Sequence, residues 1–223
     1  MRALAILALW CALLPAAAVA QQSYTEMEMQ QRHLAGREPL VDPARTHAFA
    51  LCVSGDPYSR RLLGERPYSG EENEVVFDIR HDMEHCHQRN RPRLLVGVRF
   101  LRGAAAESLL EQRGGVRPRR TFPMPSNEAL ERLSADARAA VIFIQIGECA
   151  ARANLQGVMD LLASEVGTAR ERAAVSAMLP SVAACVPAGI SFQMPPLQMR
   201  AYLAEGAYRN AAADRAGRQA NAE

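Results

Sequence analysis

The chain contains no lysine, and all 26 of its basic side chains are arginines. A phosphate-loop nucleotide site, a Schiff-base aldolase and a pyridoxal phosphate enzyme each depend on a lysine amine, so these three classes are excluded. Aromatic residues make up only 5% of the sequence, and the one tryptophan, Trp10, stands close to the N-terminus. A stacking platform for bases or sugars would therefore have to come from a few tyrosines and phenylalanines. No Cys-x-x-Cys, Gly-x-Ser-x-Gly, His-Glu-x-x-His or helix-opening Gly-x-Gly-x-x-Gly occurs. The common redox, zinc-ribbon, hydrolase, metalloprotease and dinucleotide signatures are thus missing. A cryptic hydrolase stays open as an alternative, because folding can assemble scattered Ser, His and Asp into a triad.

What is present begins with an export signal. Arg2 gives a short positive start, Leu4 to Leu14 is almost unbroken apolar sequence, and Ala18-Val19-Ala20 is a small-x-small cleavage site before Gln21. The apolar run is shorter than the ~20 residues that span a bilayer, and no other stretch approaches that length. The expectation is a periplasmic or secreted protein with no stable membrane insertion after residues 1–20 are removed. Cys11 lies inside the apolar run and leaves with it. Loss of Arg2 from the 26 basic residues leaves 25 against 24 acidic ones. That near-balance creates no strong field for a polyanion, and no nucleic-acid partner is expected.

The rest of the chain reads as two copies of one pattern. Ser69 and Glu72 precede Cys86, with Arg102 and Glu107 after it; Thr168 and Glu171 precede Cys185, with Arg200 and Glu205 after it. Four cysteines remain after export: Cys52, Cys86, Cys149 and Cys185. An even count in an oxidising compartment points to disulfides. Three pairings are possible, and the duplication selects Cys52 with Cys86 and Cys149 with Cys185, which close loops of nearly equal length. Each bridge would stabilise its half by about 3.5 to 4 kcal/mol on a loop-entropy estimate.

Ser69-Gly-Glu-Glu72 and Thr168-Ala-Arg-Glu171 have the form of capping boxes, with the Glu side chain expected to reach back to the cap residue. From there Val76, Ile79, Met83 and Cys86 fall on one helical face, matched by Val175, Met178, Val182 and Cys185. Pro180 is expected to kink or break the second of these helices after Leu179. The first cysteines sit near the ends of apolar helices, Thr46 to Val53 and Asn127 to Ala153. Asp56-Pro57 and Asn154 then cap short helices ending in Leu62-Leu63 and Leu161-Leu162. β-leaning runs follow at Leu94 to Phe100 and Ile190 to Met194, before closing helices that begin near Arg102 and Arg200.

Within the closing helices the repeated pairs Arg102/Glu107 and Arg200/Glu205 could be taken for an active site. Five residues apart on a helix, however, the two side chains diverge by about 140° around the axis. Packing against other neighbours, or an ion pair between the repeats, is the reading this geometry favours.

As a group these features resemble a set of exported proteins of Gram-negative bacteria. Those carry tandem copies of a Cys-Val-x-x-Asp-Pro start, a Leu-Leu, a second cysteine and a closing Arg-x-x-x-Ala-Glu helix. Cys52-Val53-Ser-Gly-Asp56-Pro57 fits the start, and Cys185-Val186-Pro187 with Ala204-Glu205 fits the end of the second copy. The second copy departs by opening Cys149-Ala-Ala-Arg, and the first by carrying Cys86-His87. The resemblance implies export, duplication and helical content, and adds no chemistry.

One stretch has metal-ligating character: His81-Asp82-Met83-Glu84-His85-Cys86-His87. His81 and His85 are four apart, so on a helix both imidazoles can reach one zinc or copper ion. Against this, both lie off the Val76, Ile79, Met83 face, which suggests a solvated surface, and the second copy has no counterpart to them.

The expected fold is mainly α: two related helical halves with at most short β segments and one disulfide per half. The expected organisation is a signal peptide at 1–20, an N-terminal extension at 21–45 and a first repeat at 46–113. An Arg/Pro/Gly linker at 114–126, a second repeat at 127–210 and a mobile tail at 211–223 complete it. The expected role is a non-catalytic binding or interaction module for an unknown periplasmic protein or small ligand, without a cofactor, and with the surface between the halves as the docking place. The alternative is a metal-handling protein using His81 and His85.

Overall fold

Local signals set most of the helix boundaries. In the computed structural model, residues 43–54, 58–82, 86, 98–111, 121–188 and 194–220 are described, at 53, 80–82 and 215–220 through the backbone alone. The expected signal and extension as far as residue 42, the cap Asp56-Pro57, the end of the first repeat at 112–113 and residues 114–120 of the expected linker lie outside the described residues. Nine helices are found among those described, and no strand. α1 (Pro43–Val53) starts on a proline, whose fixed φ suits a first helical position. α2 (Tyr58–Gly64) buries Leu62 and Leu63. α3 (Gly70–Asp82) follows Ser69, whose hydroxyl accepts from Glu72 N at 3.1 Å. α4 (Val98–Glu111) is the first closing helix.

The second set has the same order. α5 (Asn127–Glu131) is capped by Ser126, and Ser134 caps α6 (Ala135–Ala153) by accepting from Ala137 N at 3.3 Å. This second cap divides the apolar run expected as one helix from Asn127. Asn154 caps α7 (Leu155–Leu162), accepting from Gly157 N at 2.9 Å, and Thr168 caps α8 (Ala169–Cys185), accepting from Glu171 N at 3.2 Å. α9 (Pro196–Ala220) is the second closing helix and carries regular structure through 211–220 of the expected tail.

Four expectations are corrected. Val98, Arg99 and Phe100 are helical, not β-leaning, so α4 starts earlier than Arg102; likewise α9 starts at Pro196. Pro180 does not break α8, because fully buried Met178 and buried Val182 hold the helix to the core on either side of it. The Glu of each capping box reaches one residue beyond the cap: Glu72 accepts from Tyr68 N at 2.6 Å and Glu171 from Gly167 N at 2.7 Å. Tyr68 and Gly167 both hold positive φ, 61° and 85°, which turns their N–H groups towards these carboxylates. Tyr68 is the side chain that tolerates this conformation less well. Its hydroxyl accepts from Arg99 Nε at 3.0 Å.

α9 packs against α6 and α4, α8 against α6, and α1 and α2 against α4. The pairing of α1 and α2 with α4 thus matches that of α6 and α7 with α9. The described residues form one compact unit in which the two closing helices are in contact. The disulfides are Cys52–Cys86 and Cys149–Cys185, as expected, with both Cα–Cα distances 5.9 Å. No helix among the described residues is long and apolar enough to cross a membrane.

Small residues set how closely the helices approach. A Cβ added at Gly206 of α9 would stand 2.2 Å from the carbonyl carbon of Gly147 in α6, a backbone atom that cannot swing aside. Gly206→Ala should therefore destabilise the protein by about 1–3 kcal/mol through overpacking. This is despite the helix propensity of alanine, worth about 1 kcal/mol in the opposite direction. Urea unfolding of the variant tests this; an unchanged or higher midpoint would contradict the close contact.

Candidate functional site

The residues with the most chemical potential in the described chain meet inside the seam between α4 and α9. Arg102, on α4, is 2% exposed. Its Nη2 donates to Glu205 Oε1 of α9 at 2.6 Å and its Nε to both carboxylate oxygens at 3.2 and 3.1 Å. Its Nη1 donates to Leu62 O (2.7 Å), Glu65 O (2.9 Å) and Glu72 Oε1 (2.9 Å). Arg102 thus ties the C-terminal end of α2, the cap of α3 and the opposite closing helix to one guanidinium.

Arg200, on α9, repeats the arrangement in reverse. Its Nη2 donates to Glu107 Oε1 of α4 at 2.5 Å and its Nε to Oε2 at 3.1 Å. Its Nη1 donates to Leu161 O (2.8 Å) and Ser164 O (3.0 Å), and lies 3.7 Å from Glu171 Oε1. Each arginine therefore clamps its own α2–α3 or α7–α8 junction and reaches across for the other closing helix's glutamate. The pairs are Arg102 with Glu205 and Arg200 with Glu107, and neither pair lies within one helix. Bidentate geometry and carbonyl acceptors satisfy these buried guanidiniums, as they must be in an apolar interior.

One difference between the two clusters is a histidine. His47 of α1 places Nε2 2.9 Å from Glu107 Oε2, whereas the corresponding place in α6 is held by Ile144. Burial works to raise Glu107, but hydrogen bonds from His47 and Arg200 outweigh it, and its pKa falls below the ordinary carboxylate value. Glu72 goes the other way: burial raises its pKa, and the Arg102 charge and the Tyr68 N–H only partly oppose this. The nearby charge of Glu205, on the same guanidinium, adds a smaller push in the same direction.

Opposite pH slopes follow. Glu107, depressed in the folded state, contributes stability that is present above its unfolded pKa and lost as pH falls through the lowered folded value. Glu72, raised in the folded state, favours folding when protonated, and that contribution is lost as pH climbs through the raised value. Between about pH 7 and about pH 3, bracketing the ordinary carboxylate range, the stability advantage of wild type over Glu107→Gln should shrink on acidification. Its advantage over Glu72→Gln should grow. Urea titrations at several pH values read both slopes, and slopes of the same sign would contradict the assignment.

Phe122 closes the Arg102 side. Its buried ring lies under the Arg102 guanidinium (5.4 Å) and the Arg209 guanidinium (4.5 Å), and its carbonyl accepts from Arg209 Nη1 at 3.2 Å. Around it sit Ile144 and Tyr202. The end of the linker is thereby fixed to the core. On the Arg200 side, His47, Gly103, Glu107, Leu197, Arg200 and Ala201 border a cavity of about 10 Å³. This is room for one water molecule at most. Among the described residues, the seam between α4 and α9 is thus filled by packed helices and paired charges, with no groove for a partner.

Of the other sequence candidates, Cys52, Cys86, Cys149 and Cys185 are joined in the expected pairs. The side chains of His81 and His85 lie outside the described residues, so the zinc or copper reading has no geometry to rest on; among the described residues no group of three His, Cys, Asp or Glu is placed to hold a metal ion. Sequence reasoning did not single out His47, Phe122 or Arg209. His47 had a signal, a polar residue in α1 where the matching place in α6 holds an apolar one. Comparison with protein families, with curated proteins and with solved structures finds no match.

Proposed function

We propose that the protein is an exported, internally duplicated and disulfide-stapled helical module of the periplasm that binds a partner protein and catalyses no reaction. The observation that supports this reading is where the charge sits. The arginines and glutamates that recur in both halves, and would be the natural catalytic candidates, are sealed in the seam and occupied in holding four helices and two junctions together. A buried Arg held by two carboxylates and main-chain carbonyls is committed to structure, and no substrate can reach it without parting α4 from α9.

The docking place is then on the outer surface. Phe77 of α3 is 70% exposed and borders an open hollow of about 410 Å³ with Arg61, Asn73, Glu74 and Asp78. Arg61 and Asp78 pair across its rim at 2.9 Å. An exposed aromatic ringed by polar side chains has the composition of an interface anchor. The proposal is tested by placing a photo-crosslinking amino acid at 77, or at exposed Arg132 as a control, in the exported protein in its host. One discrete adduct from position 77, and none from 132, supports a specific partner. The same adducts from both positions, or none from either, would contradict it.

A further inference from the structure

The two disulfides are not equally accessible to solvent. Cys86 is fully buried and Cys52 half-buried, whereas Cys149 is exposed and Cys185 half-buried at the last residue of α8. Cys149 lies on the outward side of α6, opposite the Ala150 and Ala151 side that packs into the core. We propose that Cys149–Cys185 is a thiol-exchange site, open to a small-molecule thiol in the folded protein, and that Cys52–Cys86 is closed to the same reagent.

Exchange requires a thiolate to approach a disulfide sulfur directly, so access governs its rate together with thiol pKa. The external thiolate attacks Cys149 Sγ, the Cys149–Cys185 bond breaks, and its electron pair leaves on Cys185 Sγ, which takes a proton from water. Cys149 then carries the thiol as a mixed disulfide. A second thiol attacks the external sulfur of that adduct and releases Cys149, so the protein gains two electrons and two thiols of the reductant become one disulfide. For Cys52–Cys86 no exposed sulfur is offered: Cys86 is fully buried and must wait for local opening of the core, and half-buried Cys52 presents no open line of approach like that of exposed Cys149.

What the exposed bond controls is also visible. It ties the C-terminal end of α8 to α6, while Met178 and Val182 hold the rest of α8 to the core. α7 and α8 present exposed Leu155, Met159 and Leu179. Opening the bond frees the last turn of α8 and makes this face of the second half redox-responsive, while the first half remains closed.

The experiment uses the full oxidised protein in glutathione under native conditions, quenched at intervals with N-ethylmaleimide and mapped by peptide mass. Labelling at Cys149 and Cys185, with a glutathione adduct at Cys149, should appear at least about tenfold faster than labelling at Cys52 and Cys86, since a buried sulfur reacts only through opening. In about 6 M urea, where an ordinary domain is unfolded, the two rates should converge. Equal rates under native conditions, faster reaction of Cys52–Cys86, or a ratio that persists in urea would each overturn the proposal.

Discussion

Replacing Arg200 by methionine should remove about 3–5 kcal/mol of unfolding free energy, the usual cost of breaking a buried ion pair by deleting one partner. The size comes from what remains. Glu107 keeps its bond to His47, Glu171 loses the guanidinium 3.7 Å away, the carbonyls of Leu162 and Ser164 lose their Arg200 donor, and that of Leu161 keeps only its bonds from Ser164. Two carbonyls and two carboxylates are then left short of partners in the interior, and each unsatisfied group carries its own desolvation cost. Replacing Arg200, Glu107 and Glu171 together by apolar residues of similar volume should cost less than Arg200→Met alone, because no charge is left stranded. Urea unfolding of both variants checks the order. A single variant within about 1 kcal/mol of wild type, the scale of an exposed pair, would show that Arg200 is not committed to the seam.

The second large effect is loss of the buried disulfide. Changing Cys52 and Cys86 together to alanine reopens a loop whose ends are 34 residues apart. On the chain-entropy estimate this removes about 4 kcal/mol. The bridge joins the end of α1, which otherwise packs on α4, to Cys86 beyond α3, which otherwise packs on α2, so it is a direct tie between two segments held by different neighbours. The corresponding change at Cys149 and Cys185 reopens a loop of similar separation, 36 residues, and should cost a comparable amount. Thermal or urea unfolding measures both. A loss under about 1 kcal/mol in either case would show that the unfolded chain is already restrained there, which the same estimate does not allow.

The parts legible in the sequence are those decided by near neighbours. Ser69, Thr168 and Asn154 cap their helices because a short polar side chain can fold back onto its own backbone, and this needs no knowledge of the rest of the chain. On the predicted face Val76, Ile79 and Cys86 are buried, and on the matching face Met178 and Val182 are buried while Val175 and Cys185 are half-buried. The disulfide pairing followed from setting the two cysteine-bearing stretches side by side.

What was not legible depends on the other closing helix. The five-residue spacing of Arg102 and Glu107 showed that they do not face one another on α4, but which carboxylate each arginine meets is set by how α4 crosses α9. Gly103 and Ala201 set that contact, an added Cβ at Gly103 falling 2.3 Å from that of Ala201. Phe122 is similar: in a linker rich in Arg, Gly and Pro, nothing nearby in sequence announces that its ring will lie between two guanidiniums. Pro180 inside an unbroken helix shows tertiary packing overriding a local rule. The positive φ of Tyr68 is understood only beside Gly167, which occupies the same conformation at the matching place.

The central claim, that each arginine is paired with the opposite closing helix, is tested most directly by double-mutant cycles with Arg→Gln and Glu→Gln changes. Three pairs are compared in urea unfolding: Arg102 with Glu205, Arg200 with Glu107, and Arg102 with Glu107. The first two should show coupling of at least about 1.5 kcal/mol, the lower end found for close charge pairs. The third, two residues that share a helix but no contact, should show clearly less. A larger coupling for Arg102 with Glu107 than for either crossed pair would contradict the exchange, and with it the account of what closes the seam.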